Sequence, residues 1–422
     1  MSGSGLPAQV YEITARDRML QGVIHLDGSK SISNRALIIR ALCHQPFQLT
    51  GLSTSDDTRA LQRLLMSADT VLDAGAAGTT FRFLTAYLAF NGFGGILTGS
   101  ARMKERPIGP LVQALSQLGA NITYVEKEGY PPLQFHPAAA LSGQEQIALP
   151  ANISSQFISA ILMIAPQLSS GLRLRLDGEL VSRPYLQMTL DIMGYFGITH
   201  RWDGDLISIP KQDYQARDFI VEADWSAASY YYSLAALSSA ADITLTGLSR
   251  DSLQGDSIIV RLMQHFGVTS TFGANQVRLQ KKPGEAIRGE FEADFLECPD
   301  LAQTLITVCA ATGTPGRFKG LKTLFIKETD RVKAMQTELA RIGVKFLIEP
   351  GTEHDPVFSI NGKPQWSAVP TFTTYHDHRM AMALAPLALL HPVRIADPGV
   401  VSKSYGNYWD DLRKLGINYA SV

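Results

Sequence analysis

Gly28-Ser29-Lys30-Ser31-Ile32-Ser33-Asn34-Arg35 follows an apolar strand and leads into an apolar helix that extends to Leu42. Small and hydroxyl-bearing residues are typical of a helix start, and here a Lys and an Arg lie within the first turns. The first N–H groups of a helix have no partners within the helix and lie at the positive end of its dipole, so anions bind there. The stretch therefore predicts a helix N-terminus that binds an anion.

Five later stretches have the same character, and each leads into an apolar helical segment: Gly78-Thr79-Thr80, Ser154-Ser155-Gln156, Asp224-Trp225-Ser226, Pro299-Asp300 and Asp377-His378-Arg379. Counted through Ser31, Thr79, Ser155, Ser226, Asp300 and Arg379, the intervals are 48, 76, 71, 74 and 79 residues. Such spacing indicates internal repeats. The first interval is short by roughly 25 residues, about one strand-turn-strand, so we expect an abbreviated repeat between Asp57 and Ala76. Capped helices also recur in α/β proteins without repeats, and spacing alone leaves that alternative open.

Short β-rich segments that end in turn residues alternate with the helical patterns. The predicted strands are 120–125, 172–176, 243–245, 268–272 and 344–348, and the helices between them are 108–118, 185–196, 257–266 and 330–342. This alternation predicts an α/β architecture with mixed sheets.

Composition narrows the class of protein. At 422 residues the chain is long enough for two domains. Its formal net charge of -1 argues against a protein that binds nucleic acids or anionic membranes non-specifically. No apolar run reaches the eighteen or so residues that a membrane span needs. Cys43, Cys298 and Cys309 lie beside apolar segments, which favours buried thiols in a reducing compartment, and we expect a cytoplasmic protein.

Three further motifs are rich in charge. Two of them each allow two interpretations. An anion-binding site or a charged surface segment would explain Arg102-Met103-Lys104-Glu105-Arg106-Pro107. A ligand-binding site or the start of a surface helix would explain Lys327-Glu328-Thr329-Asp330-Arg331. Tyr375-His376-Asp377-His378-Arg379 precedes a wholly apolar helix; metal binding is disfavoured because neighbouring side chains on a strand point to opposite faces. A phosphate-binding P-loop is excluded at Lys30, because Ser29 separates it from Gly28.

Together these strings, with Ser182-Arg183-Pro184-Tyr185, closely resemble the 5-enolpyruvylshikimate-3-phosphate synthase family, in the family's order from about Leu26 to Leu412. The resemblance implies a transferase of the shikimate pathway, in aromatic amino-acid biosynthesis. Its two small-molecule substrates would be phosphoenolpyruvate and shikimate 3-phosphate, with no cofactor and no metal. We expect a monomer.

The resemblance also implies a fold: a two-domain inverse α/β barrel built from repeated βαβαββ units, with an interdomain active-site cleft. One domain would comprise residues 1–28 and 223–422, and the other residues 29–222.

By motif position, the resemblance implies the residues that contact each substrate. Those for phosphoenolpyruvate are Lys30, Gly78, Arg102, Gln156, Arg331, Arg379 and Lys403. Those for shikimate 3-phosphate are Ser31, Arg35, Ser154, Ser155, Gln156, Ser182, Tyr185, Asp300 and Lys327. We expect Asp300 to be the base and Glu328 to transfer a proton at carbon, with Lys30 and Lys403 stabilising charge or acting as acids.

Some residues depart from the family pattern. Ala76 and Phe83 flank the glycine motif where many relatives have Asn and Pro, and Thr323 replaces an Asn that often contacts the shikimate phosphate. Two other functions remain as alternatives. One is that of the sister transferase that acts on UDP-N-acetylglucosamine, but the loop cysteine of that enzyme has no counterpart here near Arg102 to Pro110. The other is that of a catalytically inactive relative that only binds ligands.

Overall fold

The computed structural model describes residues 9–137, 141, 146–284, 287 and 289–422, and these form two compact units. Unit 1 comprises the chain up to Asp27 together with Ala223–Val422, and unit 2 comprises Gly28–Glu222. Residues 1–8 of the predicted first domain lie outside the described residues.

The helices and strands alternate along the chain, as the sequence pattern predicts. The α-helices are α1 Lys30–Leu42, α2 Asp56–Leu65, α3 Gly78–Phe90, α4 Ala101–Lys104, α5 Gly109–Gln117, α6 Ser155–Ile164, α7 Arg183–Tyr195, α8 Trp225–Leu237, α9 Ile259–Leu262, α10 Ala302–Thr312, α11 Arg331–Ala340, α12 His378–Leu384 and α13 Tyr408–Lys414. The 3₁₀ helices are Ala165–Gln167, Gly255–Ile258, Met263–Phe266, Pro299–Leu301, Lys322–Ile326, Ala385–Leu389 and Pro398–Lys403. The strands are β1 Val10–Ala15, β2 Met19–His25, β3 Leu49–Thr50, β4 Val71–Asp73, β5 Ile96–Thr98, β6 Asn121–Tyr124, β7 Leu133–His136, β8 Gln146–Pro150, β9 Leu172–Asp177, β10 Arg201–Asp203, β11 Leu206–Ile209, β12 Phe219–Ile220, β13 Ala240–Thr246, β14 Thr269–Gly273, β15 Gln276–Lys281, β16 Phe291–Asp294, β17 Gly316–Lys319, β18 Lys345–Ile348, β19 Phe358–Asn361, β20 Thr371–Phe372, β21 Val393–Ala396 and β22 Ile417–Ser421.

Among the described residues, the strands form five four-stranded sheets and one two-stranded sheet. The four-stranded sheets share one plan: a parallel pair of strands at one edge, then two antiparallel strands. Their orders are β4-β5-β7-β6 and β8-β9-β11-β10 in unit 2, and β2-β13-β15-β14, β16-β17-β19-β18 and β20-β21-β1-β22 in unit 1. This plan is the βαβαββ repeat.

The N-terminal strands complete two sheets of unit 1. Strand β2 pairs in parallel with β13, from Met19 beside Ala240 to His25 beside Thr246. Strand β1 lies antiparallel between β21 and β22. Local sequence pattern carries no information on such distant pairing.

One repeat of unit 2 is abbreviated, as the short first interval predicts. Its sheet contains only β3 and β12, paired in parallel from Leu49 beside Phe219. Within the described residues, α2 ends at Leu65 and β4 of the next repeat starts at Val71, so the antiparallel strand pair is absent between them.

Each unit has its own hydrophobic core, with helices inside and sheets outside. Helices α6 and α8 are apolar on all sides, and almost every residue in them is buried. The strands alternate instead, with β9 burying Leu172, Leu174 and Leu176 and exposing the residues between them. Alternation means that one face of each sheet packs on the core and the other faces water.

Two of the apolar segments that follow the predicted helix starts are not α-helical throughout, and each change of helix type lies at a proline. The segment from Met380 to Leu390 changes from α-helix to 3₁₀ helix at Ala385, where Pro386 removes one backbone donor and crowds the preceding turn. The segment after Pro299 begins as a 3₁₀ turn before α10.

Candidate active site

Three of the six predicted helix starts have a side-chain cap, and the other three, which include the start at Pro299-Asp300, have none from the described residues. The side chains of Ser154, Asp224 and Asp377 accept hydrogen bonds from their own helices, at Gln156 N, Ala227 N and Arg379 N. Helices α1 and α3, by contrast, begin after Ser29 and Ala77 without a side-chain capping bond from the described residues. At two of these starts, a capping carboxylate already occupies the helix N-terminus.

Gly28 lies just before α1, directly against the backbone of Gly51. A Cβ at this position would lie 1.8 Å from the carbonyl oxygen of Gly51, so only glycine fits against that backbone. The amide of Ser29 donates to the Glu222 carbonyl, which fixes the turn that leads into Lys30 and Ser31. Both side chains are partly exposed at the first turn of the helix.

Arg35 lies inside unit 2, only 2 % exposed. Its Nη1 donates to the Ser31 carbonyl at 2.9 Å, its Nε to Thr189 at 2.7 Å and its Nη2 to Ser159 at 3.1 Å and to the Tyr185 carbonyl at 3.3 Å. Burial lowers the pKa of Arg35 to about 10, well above neutrality, so it remains charged. The structure thus joins three of the predicted shikimate-phosphate residues through one guanidinium group.

A second group in unit 2 surrounds the start of α3. Gln156 accepts from Arg82 Nη1 at 2.8 Å and donates to Thr79 Oγ1 at 3.0 Å, so both ends of its amide are fixed. A Cβ on Gly78 would lie 2.5 Å from Arg106 Nη1 and 2.8 Å from Arg82 Nη1. Two guanidinium groups therefore pack over the glycine at a helix N-terminus without a side-chain cap.

The other predicted residues of unit 2 lie at helix starts. Ser154 and Ser155 begin α6, and Ser182 precedes α7. Arg102 lies on the exposed helix α4, where its Nη1 is 2.9 Å from Glu105 Oε2.

In unit 1, three carboxylates surround Arg331, whose side chain is 2 % exposed. Its Nε donates to Asp377 at 2.7 Å, its Nη1 to Asp300 at 3.2 Å and its Nη2 to Glu328 at 2.9 Å. The three acids come from different elements: the 3₁₀ turn at Pro299, the segment before α11 and the cap of α12.

Arg379 shares Asp300 with Arg331. Its Nη2 donates to Asp300 Oδ2 at 2.7 Å and to Ser226 Oγ at 3.4 Å. Its Nη1 donates to Tyr230 Oη and to the Asp300 carbonyl, both at 3.3 Å. Asp300 is thus held between two buried cations.

Lysines complete this group. Lys403 Nζ lies 3.9 Å from Glu328 Oε1, with both side chains largely buried. Lys327 is the residue before Glu328, and burial lowers its pKa despite the opposing effect of Asp300. Predicted residues Asp300, Lys327, Glu328, Arg331, Arg379 and Lys403 therefore lie together in unit 1.

The electrostatics of Asp300 follow from its neighbours. Burial alone would raise its pKa, but the positive charges of Arg379, Lys327 and Arg331 outweigh burial and hold the pKa below its usual range. Burial raises the pKa of Tyr230 to about 12, so its hydroxyl stays neutral beside Arg379.

Backbone strain concentrates near the predicted residues. Among the described non-glycine residues, positive φ angles occur at Ser182, Asn275, Tyr375, His376 and Asp397. All of these except Asn275 lie next to a predicted site segment: Tyr375 and His376 directly precede the cap Asp377, and Asp397 precedes the 3₁₀ helix that carries Lys403. Such conformations cost roughly 1–3 kcal/mol each and are concentrated at functional sites.

The structure does not favour a metal at the two histidines. His376 is exposed and bonds Asp397 at 3.0 Å, whereas His378 is buried at the start of α12. Among the described residues there is no group of three or more His, Cys, Asp or Glu side chains that could hold a metal ion.

Four residues of these groups are not among the predicted site residues: Arg82, Tyr230, Ser226 and Asp256, although Ser226 lies in one of the six predicted helix starts. A signal existed for Arg82, since it is a buried cation one turn after Gly78 in an otherwise apolar helix. The others have ordinary side chains on buried segments, and only the folded chain brings them to Arg379.

Comparisons with known proteins identify relatives of this chain. The family model for EPSP synthase (3-phosphoshikimate 1-carboxyvinyltransferase) matches residues 60–412. A 3-phosphoshikimate 1-carboxyvinyltransferase from Bacteroides fragilis is 47 % identical over 401 residues, which cover 94 % of this chain and 96 % of that protein. One of the same name from Photobacterium profundum is 38 % identical, with the same coverage of each chain.

Solved structures show the same fold. EPSP synthase from Acinetobacter baumannii has a TM-score of 0.77 at 20 % identity and covers 98 % of this chain and 100 % of that one. The enolpyruvyl transferase NikO from Streptomyces tendae has a TM-score of 0.74 at 15 % identity, covering 99 % and 100 %. The fold is thus that of the enolpyruvyl transferases. From the match to the family model and the identity to its relatives, the chain belongs to the EPSP synthase family.

Within the described part of the chain, no helix combines the length and the apolar character needed to cross a bilayer.

Proposed function

We propose that this protein is a 3-phosphoshikimate 1-carboxyvinyltransferase, which transfers the enolpyruvyl group of phosphoenolpyruvate to the 5-hydroxyl of shikimate 3-phosphate and releases phosphate. The observation that carries this proposal is the family match over residues 60–412. The grouping of Asp300, Glu328, Arg331 and Arg379 supports it, because it supplies acids and cations in one place.

We propose the following division of binding. In unit 1, Arg331, Arg379 and Lys403 bind phosphoenolpyruvate, and Asp300 and Lys327 bind shikimate 3-phosphate. In unit 2, Lys30, Gly78, Arg102 and Gln156 bind phosphoenolpyruvate, and Ser31, Arg35, Ser154, Ser155, Gln156, Ser182 and Tyr185 bind shikimate 3-phosphate. Arginine suits carboxylate and phosphate because its planar donors bind two oxygens at once.

Arg35 has a mainly supporting part in this proposal. Four of its five N–H donors already bond protein acceptors, so its direct contribution to a ligand is limited to one further N–H. By holding the Ser31 carbonyl and the Tyr185 carbonyl, it fixes the backbone of two residues that we assign to shikimate 3-phosphate.

The chemistry is an addition followed by an elimination. The 5-oxygen bonds to C2 of phosphoenolpyruvate while C3 gains a proton, which gives a tetrahedral phospho-ketal. Loss of a proton from the new methyl group and departure of phosphate from C2 then restore the double bond. We assign Asp300 to take the hydroxyl proton and Glu328 to transfer protons at C3, with Lys30 and Lys403 stabilising the negative charge.

The ion pairs of Asp300 bear on its role as a base. A carboxylate held by two arginines has a low pKa and accepts a proton poorly. An anionic substrate competes for the same guanidinium groups, so its binding weakens these pairs and raises the basicity of Asp300. Substrate binding would thereby prepare the base.

We further propose that the two units are the two domains of the enzyme and that the protein acts as a monomer in the cytoplasm. The free thiols of Cys43, Cys298 and Cys309 support a reducing compartment.

The test is an assay of the purified chain with shikimate 3-phosphate and phosphoenolpyruvate, with phosphate release and the enolpyruvyl product both measured. Phosphate release that requires shikimate 3-phosphate supports the proposal. Release with UDP-N-acetylglucosamine instead would identify the sister activity, and binding of both ligands without turnover would indicate an inactive relative.

A further inference from the structure

A buried acid next to the arginines has no part in the mechanism above. Asp256 lies in the 3₁₀ helix Gly255–Ile258 and is 5 % exposed. Its Oδ2 accepts a hydrogen bond from the Ser226 hydroxyl. Its Oδ1 is buried and has no hydrogen-bond partner among the described residues.

The Ser226 hydroxyl connects this acid to Arg379. Ser226 Oγ donates to Asp256 and accepts from Arg379 Nη2 at 3.4 Å. The same Nη2 donates to Asp300 at 2.7 Å. Because a guanidinium is planar, this second contact on Nη2 helps to fix the rotation of the whole group, together with the bonds of Nη1 to Tyr230 and to the Asp300 carbonyl.

The segment that carries Asp256 is itself fastened to the start of α8. Gln254 Nε2 donates to the Ala223 carbonyl at 2.8 Å, and its Oε1 accepts from Trp225 N at 3.1 Å. Asp256 and Ser226 are therefore held on the same rigid support, which suits a group that must orient another.

The pKa of Asp256 reflects the charges of both Asp300 and Arg379. Burial, together with the charge of Asp300, raises the pKa of Asp256 to about 7, while Arg379 and the Ser226 bond act in the opposite direction. Asp256 thus interacts with both members of the Arg379–Asp300 pair.

We propose that Asp256, acting through the Ser226 hydroxyl, is a positioning residue that holds the guanidinium of Arg379 in the orientation that binds the anionic groups of phosphoenolpyruvate. This rests on the proposed function, in which Arg379 is a phosphoenolpyruvate residue. Asp256 itself touches neither substrate.

The test compares Ser226→Ala, Asp256→Ala and Asp256→Asn with the wild-type enzyme. Loss of one orienting hydrogen bond should raise KM for phosphoenolpyruvate roughly 3-fold to 10-fold, with KM for shikimate 3-phosphate changed by less than about 2-fold. Asp256→Asn keeps an oxygen acceptor for Ser226 and should fall between wild type and Asp256→Ala. Asp256 acts on Arg379 only through Ser226. The double variant Ser226→Ala/Asp256→Ala should therefore have a KM for phosphoenolpyruvate no higher than that of the more impaired single variant.

The matched control is Ser270→Ala, which removes a hydroxyl bonded at 2.8 Å to Tyr232 on the same helix α8, outside the Arg379 group. It should leave both KM values unchanged. Thermal unfolding checks that each variant folds, and Ser226→Ala, the smallest change, keeps the test informative if the Asp256 variants do not.

Equal increases in KM for both substrates, multiplying effects in the double variant, or unchanged KM for phosphoenolpyruvate in Ser226→Ala would each overturn this role for Asp256. A wild-type enzyme without turnover would instead overturn the proposed function, and the positioning role with it.

Discussion

Asp300 and Glu328 carry the proton transfers in the proposed mechanism. We predict that Asp300→Ala and Glu328→Ala each lower kcat by about 100-fold or more, because a positioned acid or base contributes that much. Both ligands should still bind, which isothermal titration calorimetry measures directly. Asp242→Ala is the control, since it removes a carboxylate that pairs with Arg278 on the outer face of a sheet. Unchanged turnover in either site variant would remove that residue from its role.

Gly78 leaves room for two guanidinium groups. We predict that Gly78→Ala raises KM for phosphoenolpyruvate about 10-fold, equivalent to roughly 1.4 kcal/mol, because the new methyl group displaces Arg106 and Arg82 from their places over the helix start. Both contacting atoms are ends of flexible side chains, so the protein should still fold. Steady-state kinetics with each substrate varied in turn measures the effect.

Gly194 is the matched control for this substitution. It lies in the last turn of α7, and a Cβ there meets nothing within 4 Å among the described residues. Gly194→Ala should leave both KM values unchanged and stabilise the protein by roughly 0.4–1 kcal/mol. An equal rise in KM in both variants would show that the Gly78 effect is not local.

At the level of elements, Asp377 has two duties: it caps α12 and pairs with the buried Arg331. We predict that Asp377→Ala lowers the free energy of unfolding by roughly 3 kcal/mol, because it removes a helix cap worth about 1 kcal/mol and a hydrogen bond between charged groups worth about 1.5–3 kcal/mol. Arg331 keeps its pairs with Asp300 and Glu328 in this variant. Denaturant unfolding measures the loss.

Asp330 is the control that isolates the contribution of capping. Its partly exposed side chain caps α11 by accepting a hydrogen bond from Lys333 N. Asp330→Ala should cost only about 1 kcal/mol, the usual value of a cap. If both variants lost the same stability, the pair with Arg331 would contribute nothing measurable.

The elements also show what the sequence could predict. Hydroxyl and acidic residues before apolar runs predicted the six helix starts, because capping is a local property. The same residue types serve as caps and as ligand-binding groups, so the pattern did not distinguish the capped start at Asp377 from the start of α1 without a side-chain cap. The partners of Arg379 were missed for a different reason: Ser226 and Tyr230 lie about 150 residues away along the chain.

For the whole molecule, the short first interval between helix starts predicted the abbreviated repeat. A repeat that lacks its antiparallel strand pair places the next helix start closer along the chain. The pairing of β1 and β2 with strands of the second half could not come from local pattern and entered only through the family resemblance.

Stability of the whole protein should depend on pH through Asp256. The pKa of this acid is about 7 in the folded protein and near its ordinary value of 3.8 when unfolded. Between these values the folded state binds the extra proton, so the contribution of Asp256 to stability is present in acid and is lost as the pH rises from about 4 to 7. We predict that Asp256→Asn flattens the stability profile in this range, as urea unfolding at several pH values would measure. A variant whose profile still falls like that of the wild type would contradict the assignment.

We propose above all that the cations and acids grouped in this chain join phosphoenolpyruvate to shikimate 3-phosphate. The most direct measurement is phosphate release by the purified wild-type protein with both compounds, followed by identification of the second product. We predict one enolpyruvyl ether of shikimate 3-phosphate per phosphate released, and no release when shikimate 3-phosphate is omitted. Phosphate release that does not depend on shikimate 3-phosphate, or none with both compounds present, would show that this chain does not catalyse the transfer.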